Sequence, residues 1–270
     1  MNISTVKIAE FKKTVGEYYQ VNKRRLPWRE TTDPYAIVVS EIMLQQTQVK
    51  RVLEKYPAFL MRFPDFSALA QASLKDVLQE WQGMGYNRRG KYLKQIAEIV
   101  TSQFQGVLPA SPEIVDSFPG IGRATACSIC AFAFNQSTVF IETNIRRVFI
   151  HHFFKDEQEI ADEQLMPLVE AALDKENPRE WYYALMDYGT YLAKVVENPN
   201  KRSRHYAVQS RFEGSDRQIR GEILRALLSS TRSRESILLS YNGQSERVAR
   251  ILDQMIGEGI VRENEGNVEI

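Results

Sequence analysis

Apolar residues recur at spacings of three and four along most of the first 200 residues, which is the period of an amphipathic helix. Asp33-Pro34 and Ser111-Pro112 each place a capping residue before a proline, so both predict helix starts. No strand alternation precedes residue 255. The body up to about residue 205 is therefore predicted to be all-α, with helices at Ile8–Tyr19, Ala36–Val52, Leu74–Trp81, Tyr92–Phe104, Ala124–Phe134, Ile145–Phe154 and Glu163–Leu173.

The pattern changes after the polar stretch that ends near residue 205. Helices are predicted at Asp216–Leu228, Arg234–Ser240 and Ser245–Gly257, and a terminal β-hairpin at Ile260–Arg262 and Val268–Ile270. Three helices followed by a hairpin resemble a winged helix-turn-helix, and a small helical cap on the main core is the alternative. We predict two domains, residues 1–205 and a DNA-binding module at residues 213–270.

Composition excludes several classes of protein. The 270 residues are 43% hydrophobic, and no apolar run approaches the ~20 residues that span a bilayer, so no membrane association is expected. Two cysteines cannot make a disulfide framework, which favours a reducing cytoplasm. The net charge is only +1, but residues 201–250 hold eleven Lys/Arg against five Asp/Glu. This local excess favours a polyanionic partner.

The most informative segment is the tight turn between Phe118 and Arg123. Gly120 and Gly122 permit backbone angles closed to other residues and leave room for a ligand's backbone. The turn also presents the N-terminus of the following helix, where free N–H groups form an anion site. A DNA phosphate is the predicted guest, bound by Pro119, Gly120, Ile121, Gly122, Arg123 and Thr125.

Other segments surround this turn in a recognisable order, over roughly residues 20–192. They resemble the helix-hairpin-helix DNA glycosylase superfamily, and most closely its MutY-type adenine glycosylases. The resemblance implies a two-lobed all-α glycosylase body. The segments that carry it are Leu26-Pro-Trp-Arg29, Asp33-Pro-Tyr35, Ser40-Glu-Ile-Met-Leu-Gln-Gln-Thr-Gln-Val49, Trp81-Gln-Gly-Met-Gly-Tyr86, Phe118–Ala126, Ile141-Glu-Thr-Asn-Ile-Arg-Arg-Val148 and Met186-Asp-Tyr-Gly189.

The resemblance implies two catalytic carboxyl groups with different tasks. Glu41 matches the general acid that protonates N7 of the leaving adenine. Its place early in an apolar helix predicts a raised pKa, and a first-turn acid favoured by the helix dipole is the alternative. Glu142, with Asn144 two residues on, stands where the family has its catalytic Asp, so the carboxylate has one more methylene. The resemblance implies that it stabilises the cation on the sugar or activates water, and a changed substrate or reaction is the alternative. Ala124 replaces the lysine of the bifunctional relatives, so no amine-dependent lyase activity is expected.

Further residues match segments that contact DNA in the family. Tyr86 matches an aromatic that intercalates beside the flipped base, and Met84 lies near the contact to the opposite base. Arg88 and Arg146 are candidate phosphate ligands, as are Arg89, Lys91 and Arg147. The predicted minor-groove segment comprises Gln45, Gln46, Thr47 and Gln48.

No bound cofactor is expected. Many relatives carry four cysteines for an iron–sulfur cluster after the Met-Asp-x-Gly segment, but Leu192–Tyr206 contains none. Cys127 and Cys130 are predicted to be core thiols, and His151, His152 and His205 lack a metal-ligand pattern. A monovalent cation on the hairpin backbone, as in the family, remains open.

The leading hypothesis is a monofunctional glycosylase that flips and removes a mispaired purine from double-stranded DNA, most simply adenine opposite 8-oxoguanine or guanine. We expect it to be monomeric and cytoplasmic, with the nucleoid as its place in a prokaryote. Three alternatives stay open: action on a different lesion or strand incision, a lesion-binding protein without catalysis, and a regulator that uses the winged helix.

Overall fold

The computed structural model describes residues 5–241 and 243–270. In this part of the chain the glycosylase-like body is built of helices. They are α1 Thr5–Asn22, α2 Pro34–Leu44, α3 Val49–Arg62, α4 Phe66–Gln71, α5 Leu74–Glu80, α6 Arg88–Gln103, α7 Pro112–Asp116, α8 Arg123–Phe134, α9 Thr143–Phe153, α10 Asp162–Ala172 and α11 Pro178–Val195, with short 3-10 turns at Pro27–Arg29 and Pro199–Arg202.

Both predicted helix starts are confirmed. The side chain of Asp33 accepts a hydrogen bond from the backbone N–H of Tyr35 at 3.0 Å, and Ser111 accepts one from Ile114 at 3.4 Å. The predicted single helix Ala36–Val52 is wrong, because Gln46 adopts a left-handed backbone conformation (φ 53°) that ends α2 before α3 begins. Its apolar spacing continues across the turn, so periodicity could not reveal the break.

The chain divides into two compact units. The first contains residues up to Ile37, Ala110–Ser117 and Ile121–Val208. Its core is rich in aromatic rings, and the ring of Phe11 meets those of Phe149, Phe153 and Trp181 at centroid distances of 5.0 to 6.0 Å. These rings fasten α1 to α9 and α11.

A buried ion-pair cluster fixes the segment before α2 to α11 within the first unit. Asp187 of α11, 2% exposed, accepts hydrogen bonds from the guanidinium groups of Arg24 and Arg29 at 2.6 to 3.0 Å. The guanidinium of Arg29 also lies 4.5 Å from the centre of the Tyr183 ring. The sequence motifs Leu-Pro-Trp-Arg and Met-Asp-Tyr-Gly, which are far apart in the chain, are therefore in direct contact through Arg29 and Asp187.

The second unit contains Val38–Pro109, Phe118–Gly120 and Gln209–Ile270. The C-terminal residues thus share a unit with α3–α6 rather than forming one by themselves. Leu78 of α5 is fully buried in the same apolar core as Ile223, Ile251 and Met255 of the C-terminal segment. This continuous core is the physical reason that no separate unit forms.

The C-terminal module has the element order α12 Asp216–Ser229, β1 Arg232–Ser233, α13 Arg234–Leu239, α14 Ser245–Gly257, β2 Arg262–Asn264 and β3 Asn267–Glu269. The predicted terminal hairpin is present, turning at Glu265-Gly266 with positive φ at both residues. β3 also pairs with β1, which gives an antiparallel sheet of order β1-β3-β2.

The module is not basic once its acidic end is included. Residues 213–270 hold eight arginines and ten Asp/Glu, a net charge of −2. Several of its arginines are engaged in ion pairs: Asp216 meets Arg247 and Arg250, while Arg234 meets Asp253 and Glu263. Part of the excess counted over residues 201–250 is therefore neutralised by acidic partners within the module.

No helix in the described residues is long and apolar enough to cross a bilayer.

Candidate functional site

In the first unit, the Glu142 carboxylate caps the N-terminus of α9. Its Oε1 accepts hydrogen bonds from the backbone N–H groups of Asn144 at 2.8 Å and Ile145 at 3.1 Å, and Oε2 accepts one from the Asn144 amide at 3.3 Å. The extra methylene that distinguishes Glu from Asp is thus taken up by folding the side chain back over its own helix.

Two opposing effects act on this carboxyl group. Desolvation among protein atoms raises the pKa of Glu142, and the N–H donors of Asn144 and Ile145 together with the nearby Arg147 partly oppose that rise. The side chain is only half-buried, so solvent still reaches part of it. A carboxylate held by N–H donors at the positive end of a helix is suited to stabilising a cation that develops beside it.

Arg147 and Asn200 hold the first turn of α9 in place. Arg147 is 9% exposed and donates to the side chain of Asn144 at 2.7 Å and to the carbonyl of Gly189 at 3.0 Å. Asn200 donates to the carbonyl of Thr143 at 3.0 Å. These contacts position the residue pair that carries the predicted chemistry.

Gly189 of α11 is required by close approach. A Cβ there would lie 2.6 Å from the carbonyl oxygen of Asn144 and 2.7 Å from its Cβ. The Met-Asp-Tyr-Gly segment therefore lets α11 pack directly against the start of α9. Sequence reasoning assigned no role to this glycine, nor to Asn198 and Asn200, although both asparagines lie in a conspicuous Asn-Pro-Asn segment.

In the second unit, Glu41 is the eighth of eleven residues in α2 and is half-buried. The prediction that it sits early in its helix is wrong, and so is the first-turn alternative. Glu41 lies nearer the C-terminus of α2, which is the negative end of the helix dipole, so the dipole does not favour a carboxylate there. The helix dipole therefore does not explain why position 41 carries a carboxyl group.

Arg89 joins the two segments predicted to enter DNA. Its side chain donates to the carbonyl oxygens of Ile42 and Met43 at the end of α2, to the Thr47 hydroxyl at 2.8 Å and to the Met84 carbonyl at 3.2 Å. Burial lowers the pKa of Arg89 to about 10. Arg89, at 7% exposed, is a buried structural cation, so its prediction as a phosphate ligand is wrong. The same holds for Arg147.

The remaining predicted DNA contacts fall into three groups: buried, engaged in an ion pair, and open to solvent. Met84 (1% exposed) and Ile121 (7% exposed) are buried, so their side chains cannot meet an opposite base or a phosphate in this conformation. Arg146 is engaged by Asp162 in two hydrogen bonds of 2.6 and 2.7 Å. Open to solvent, fully or in part, are Gln45, Gln46, Thr47, Gln48, Tyr86, Arg88, Pro119, Gly120, Gly122, Arg123 and Thr125.

The turn before α8 has the geometry expected of an anion site. Gly120 has φ 73°, and a Cβ there would overlap the ring of Tyr92. Gly122 is the N-cap of α8, and a Cβ there would meet nothing within 4 Å. The space beside these first N–H groups is open to a guest.

The structure offers no fit for an iron–sulfur cluster. Cys127 and Cys130 are buried in α8, and burial raises the pKa of the Cys130 thiol to about 11. Nowhere in residues 5–241 and 243–270 do three His, Cys, Asp or Glu side chains group as metal ligands.

Similarity to known proteins identifies the family of this chain. The profile of the HhH-GPD superfamily base excision DNA repair protein matches residues 39–171. An adenine DNA glycosylase of Mycolicibacterium smegmatis is 30% identical over 91% of this chain and 90% of that protein. This chain belongs to the HhH-GPD superfamily, in its MutY-like branch. It is a DNA glycosylase by descent.

This chain is also similar to two further DNA glycosylases. The adenine DNA glycosylase of Buchnera aphidicola (Baizongia pistaciae) is 33% identical over 67% of this chain, which spans only about half (52%) of that relative. A solved thermostable thymine-DNA glycosylase has a TM-score of 0.61 at 24% identity, covering 68% of this chain and 86% of that one. This second likeness shows that the glycosylase fold is shared.

Proposed function

We propose that this protein is a monofunctional adenine DNA glycosylase that removes adenine opposite 8-oxoguanine or guanine. The observation that carries the proposal is the near-full-length similarity to the adenine DNA glycosylase of Mycolicibacterium smegmatis. Double-stranded DNA containing the mispair is the proposed partner, and the monomer is the proposed active form.

Cleavage of the glycosidic bond divides between two carboxyl groups. Glu41 protonates the leaving base at N7, and Glu142 stabilises the positive charge on the sugar or activates water. The capped position of Glu142 supports this role, because its N–H donors keep the carboxylate fixed and oriented before the substrate arrives.

The side chain at position 124 supports a glycosylase without lyase activity. Ala124 is exposed in the first turn of α8, and its methyl group can form no Schiff base with the sugar. Strand cutting should therefore need alkali.

DNA is proposed to bind at three places. The open N-terminus of α8, led by Gly122, takes a phosphate, while Gln48 and Tyr86 fill the space beside the flipped base. A monovalent cation on the hairpin carbonyls remains a prediction, and exchange of K⁺ for a bulky organic cation during DNA-binding assays would test it.

We also propose that the C-terminal module is a winged helix. The order of α12, β1, α13 and α14 with the β2–β3 hairpin supports this, as does the sheet order β1-β3-β2. Its net negative charge favours a role other than general phosphate binding.

Single-turnover cleavage of labelled duplexes tests the function. The panel holds adenine opposite 8-oxoguanine, adenine opposite guanine, thymine opposite guanine, uracil, hypoxanthine and an abasic site, each with and without alkali. Alkali-dependent cutting at the adenine mispairs is expected. It should be lost in Glu41→Gln and Glu142→Gln and retained in Glu17→Gln, a matched change at an exposed side chain of α1. Cutting only at another lesion, or cutting without alkali, would overturn the assignment.

A further inference from the structure

The hydroxyl of Tyr86 is bound by two side chains from the C-terminal part of the second unit. Gln209 donates to it from its amide, and Arg217 of α12 donates from Nη1 at 3.2 Å. The guanidinium carbons of Arg89 and Arg217 lie 5.5 and 5.8 Å from the centre of the ring. Tyr86, the predicted intercalating residue (called the wedge below), is thus contacted both at its hydroxyl and over its ring.

Arg217 is itself anchored. Its Nη2 donates to the carbonyl of Ser210 at 2.6 Å and to the Ser210 hydroxyl at 3.3 Å. One guanidinium therefore connects α12, the segment that leads into it, and Tyr86. Because a guanidinium presents its donors in a rigid fork, this arrangement fixes the distance between them.

The module is seated against the elements that flank Tyr86. Glu258, after α14, pairs with Arg88 at 3.6 Å and with Arg220, and its carbonyl accepts a hydrogen bond from Lys91. Leu78, which precedes Tyr86 in the sequence as Arg88 and Lys91 follow it, lies in the module's apolar core. Arg217 is therefore held by a packed body, whereas Gln209 lies in the exposed irregular segment that precedes α12.

The backbone at Tyr86 also adopts an uncommon conformation. Tyr86 has φ 45° and Gly85 before it has φ 72°. For a bulky aromatic residue such a conformation costs free energy and persists only where surrounding contacts hold it. The backbone is held here by Trp81 Nε1, which donates to the Gly85 carbonyl at 3.1 Å, and by the Arg89 N–H, which donates to the Tyr86 carbonyl at 2.9 Å. Gln209 and Arg217 add contacts at the hydroxyl.

We propose that Gln209 and Arg217 are positioning residues that latch Tyr86 in the free enzyme. The inference rests on the proposed function, in which Tyr86 is the wedge. A tyrosine that enters a base stack leads with its hydroxyl end, so both donors must leave before insertion. The C-terminal module thereby raises the free energy needed to insert Tyr86 into the base stack. Tyr86 should therefore enter a well-stacked duplex less often than a lesion site, because a well-stacked duplex resists opening more.

The latch makes a directional prediction. Tyr86→Phe removes the latched hydroxyl but keeps the ring, so insertion should become easier. Because hydrogen bonds to a charged donor at a half-exposed site are worth modest energies, we expect about three- to tenfold tighter binding to undamaged duplex. Arg217→Ala and Gln209→Ala should act in the same direction.

The experiment uses full-length protein and a duplex with a tetrahydrofuran abasic analogue opposite 8-oxoguanine, flanked by 2-aminopurine, beside a fully paired duplex. Insertion is measured as 2-aminopurine fluorescence and affinity by titration at fixed salt. Arg225→Ala, an exposed arginine on the same helix, controls for the loss of one positive charge. The double variant Tyr86→Phe with Arg217→Ala should match Tyr86→Phe once the charge effect measured in Arg225→Ala is subtracted, because Tyr86→Phe already lacks the hydroxyl that Arg217 contacts.

The outcomes separate the latch from the wedge. Support requires Tyr86→Phe and Gln209→Ala to gain on the fully paired duplex and Tyr86→Ala to lose the fluorescence signal on the abasic analogue. Unchanged or weaker binding by Tyr86→Phe, with Tyr86→Ala still defective, overturns the latch alone. A normal signal in Tyr86→Ala overturns the wedge assignment itself, and with it the latch.

Discussion

The Glu142 carboxylate and the backbone N–H of Asn144 are joined by a hydrogen bond of 2.8 Å. The residue that resemblance marks as the cation stabiliser is therefore also the N-cap of α9. The two roles are compatible, because a cap fixes a carboxylate in place and leaves its charge available. They differ in what each demands of the side chain, which makes them separable by mutation.

Replacement of Glu142 by Gln should leave the fold nearly intact and remove the chemistry. The amide oxygen can still accept from the N–H groups, so the free energy of unfolding should fall by only about 1 kcal/mol. Loss of the charge should slow single-turnover excision by about 100-fold or more. Glu142→Asp is the matched control, expected to stay within about tenfold. Full activity in Glu142→Gln would leave the residue with a capping role alone.

Gly189→Ala should destabilise the protein and disturb the site together. The added methyl would meet the backbone of Asn144, which cannot move without shifting the start of α9. We expect a loss of about 1–3 kcal/mol in urea unfolding, with reduced excision. Gly16→Ala, in α1 with nothing within 4 Å, is the control and should be neutral or stabilising by about 0.5–1 kcal/mol. Equal effects at both positions would contradict the close-approach argument.

Arg89→Lys should be costly although the charge is kept. A lysine cannot supply the planar set of donors that serves Ile42, Met43, Thr47 and Met84, so buried carbonyl groups would lose their partners. We expect the free energy of unfolding to fall by about 2–3 kcal/mol in chemical denaturation. The same change at the neighbouring exposed Arg88 should cost less than about 0.5 kcal/mol. An unchanged free energy of unfolding in Arg89→Lys would mean that the segments around Thr47 and Met84 do not depend on the guanidinium.

Stability should fall in mild acid through His152. Burial, and then the neighbouring His151, lower the pKa of His152 to about 4, below its unfolded value of 6.5. Between those values the unfolded chain binds the proton first, so stability is complete above about pH 6.5 and is lost as pH falls towards 4. Allowing for partial exposure, we expect a loss of about 1–2 kcal/mol.

The check is thermal unfolding from pH 7 to 4 in His152→Phe, which keeps an aromatic ring against Phe11 and Tyr188. Its stability should depend less on pH than that of the wild type. His205→Phe, at an exposed position, controls for the loss of a histidine. An unchanged pH dependence in His152→Phe would assign the acid sensitivity to other groups.

Local patterns predicted local structure well. The proline-marked helix starts, α14 and the terminal hairpin follow from capping, periodicity and turn chemistry, all of which act within a few residues. The break at Gln46 escaped because its neighbours keep a helical spacing. Side-chain roles fared less evenly: Arg89 and Arg147 looked like surface cations, and only burial by distant segments distinguishes them from Arg88.

By itself the sequence determined the all-helical body, the glycosylase family and the identity of the candidate carboxylates, because ordered motifs and apolar periodicity are properties of the chain. Tertiary structure alone decided that Glu142 folds back as a cap, that Gly189 meets Asn144, and that Arg217 reaches Tyr86. These contacts join residues 45 to 131 positions apart, or depend on how a side chain bends. No local pattern encodes them, since they arise only when packing brings distant segments together.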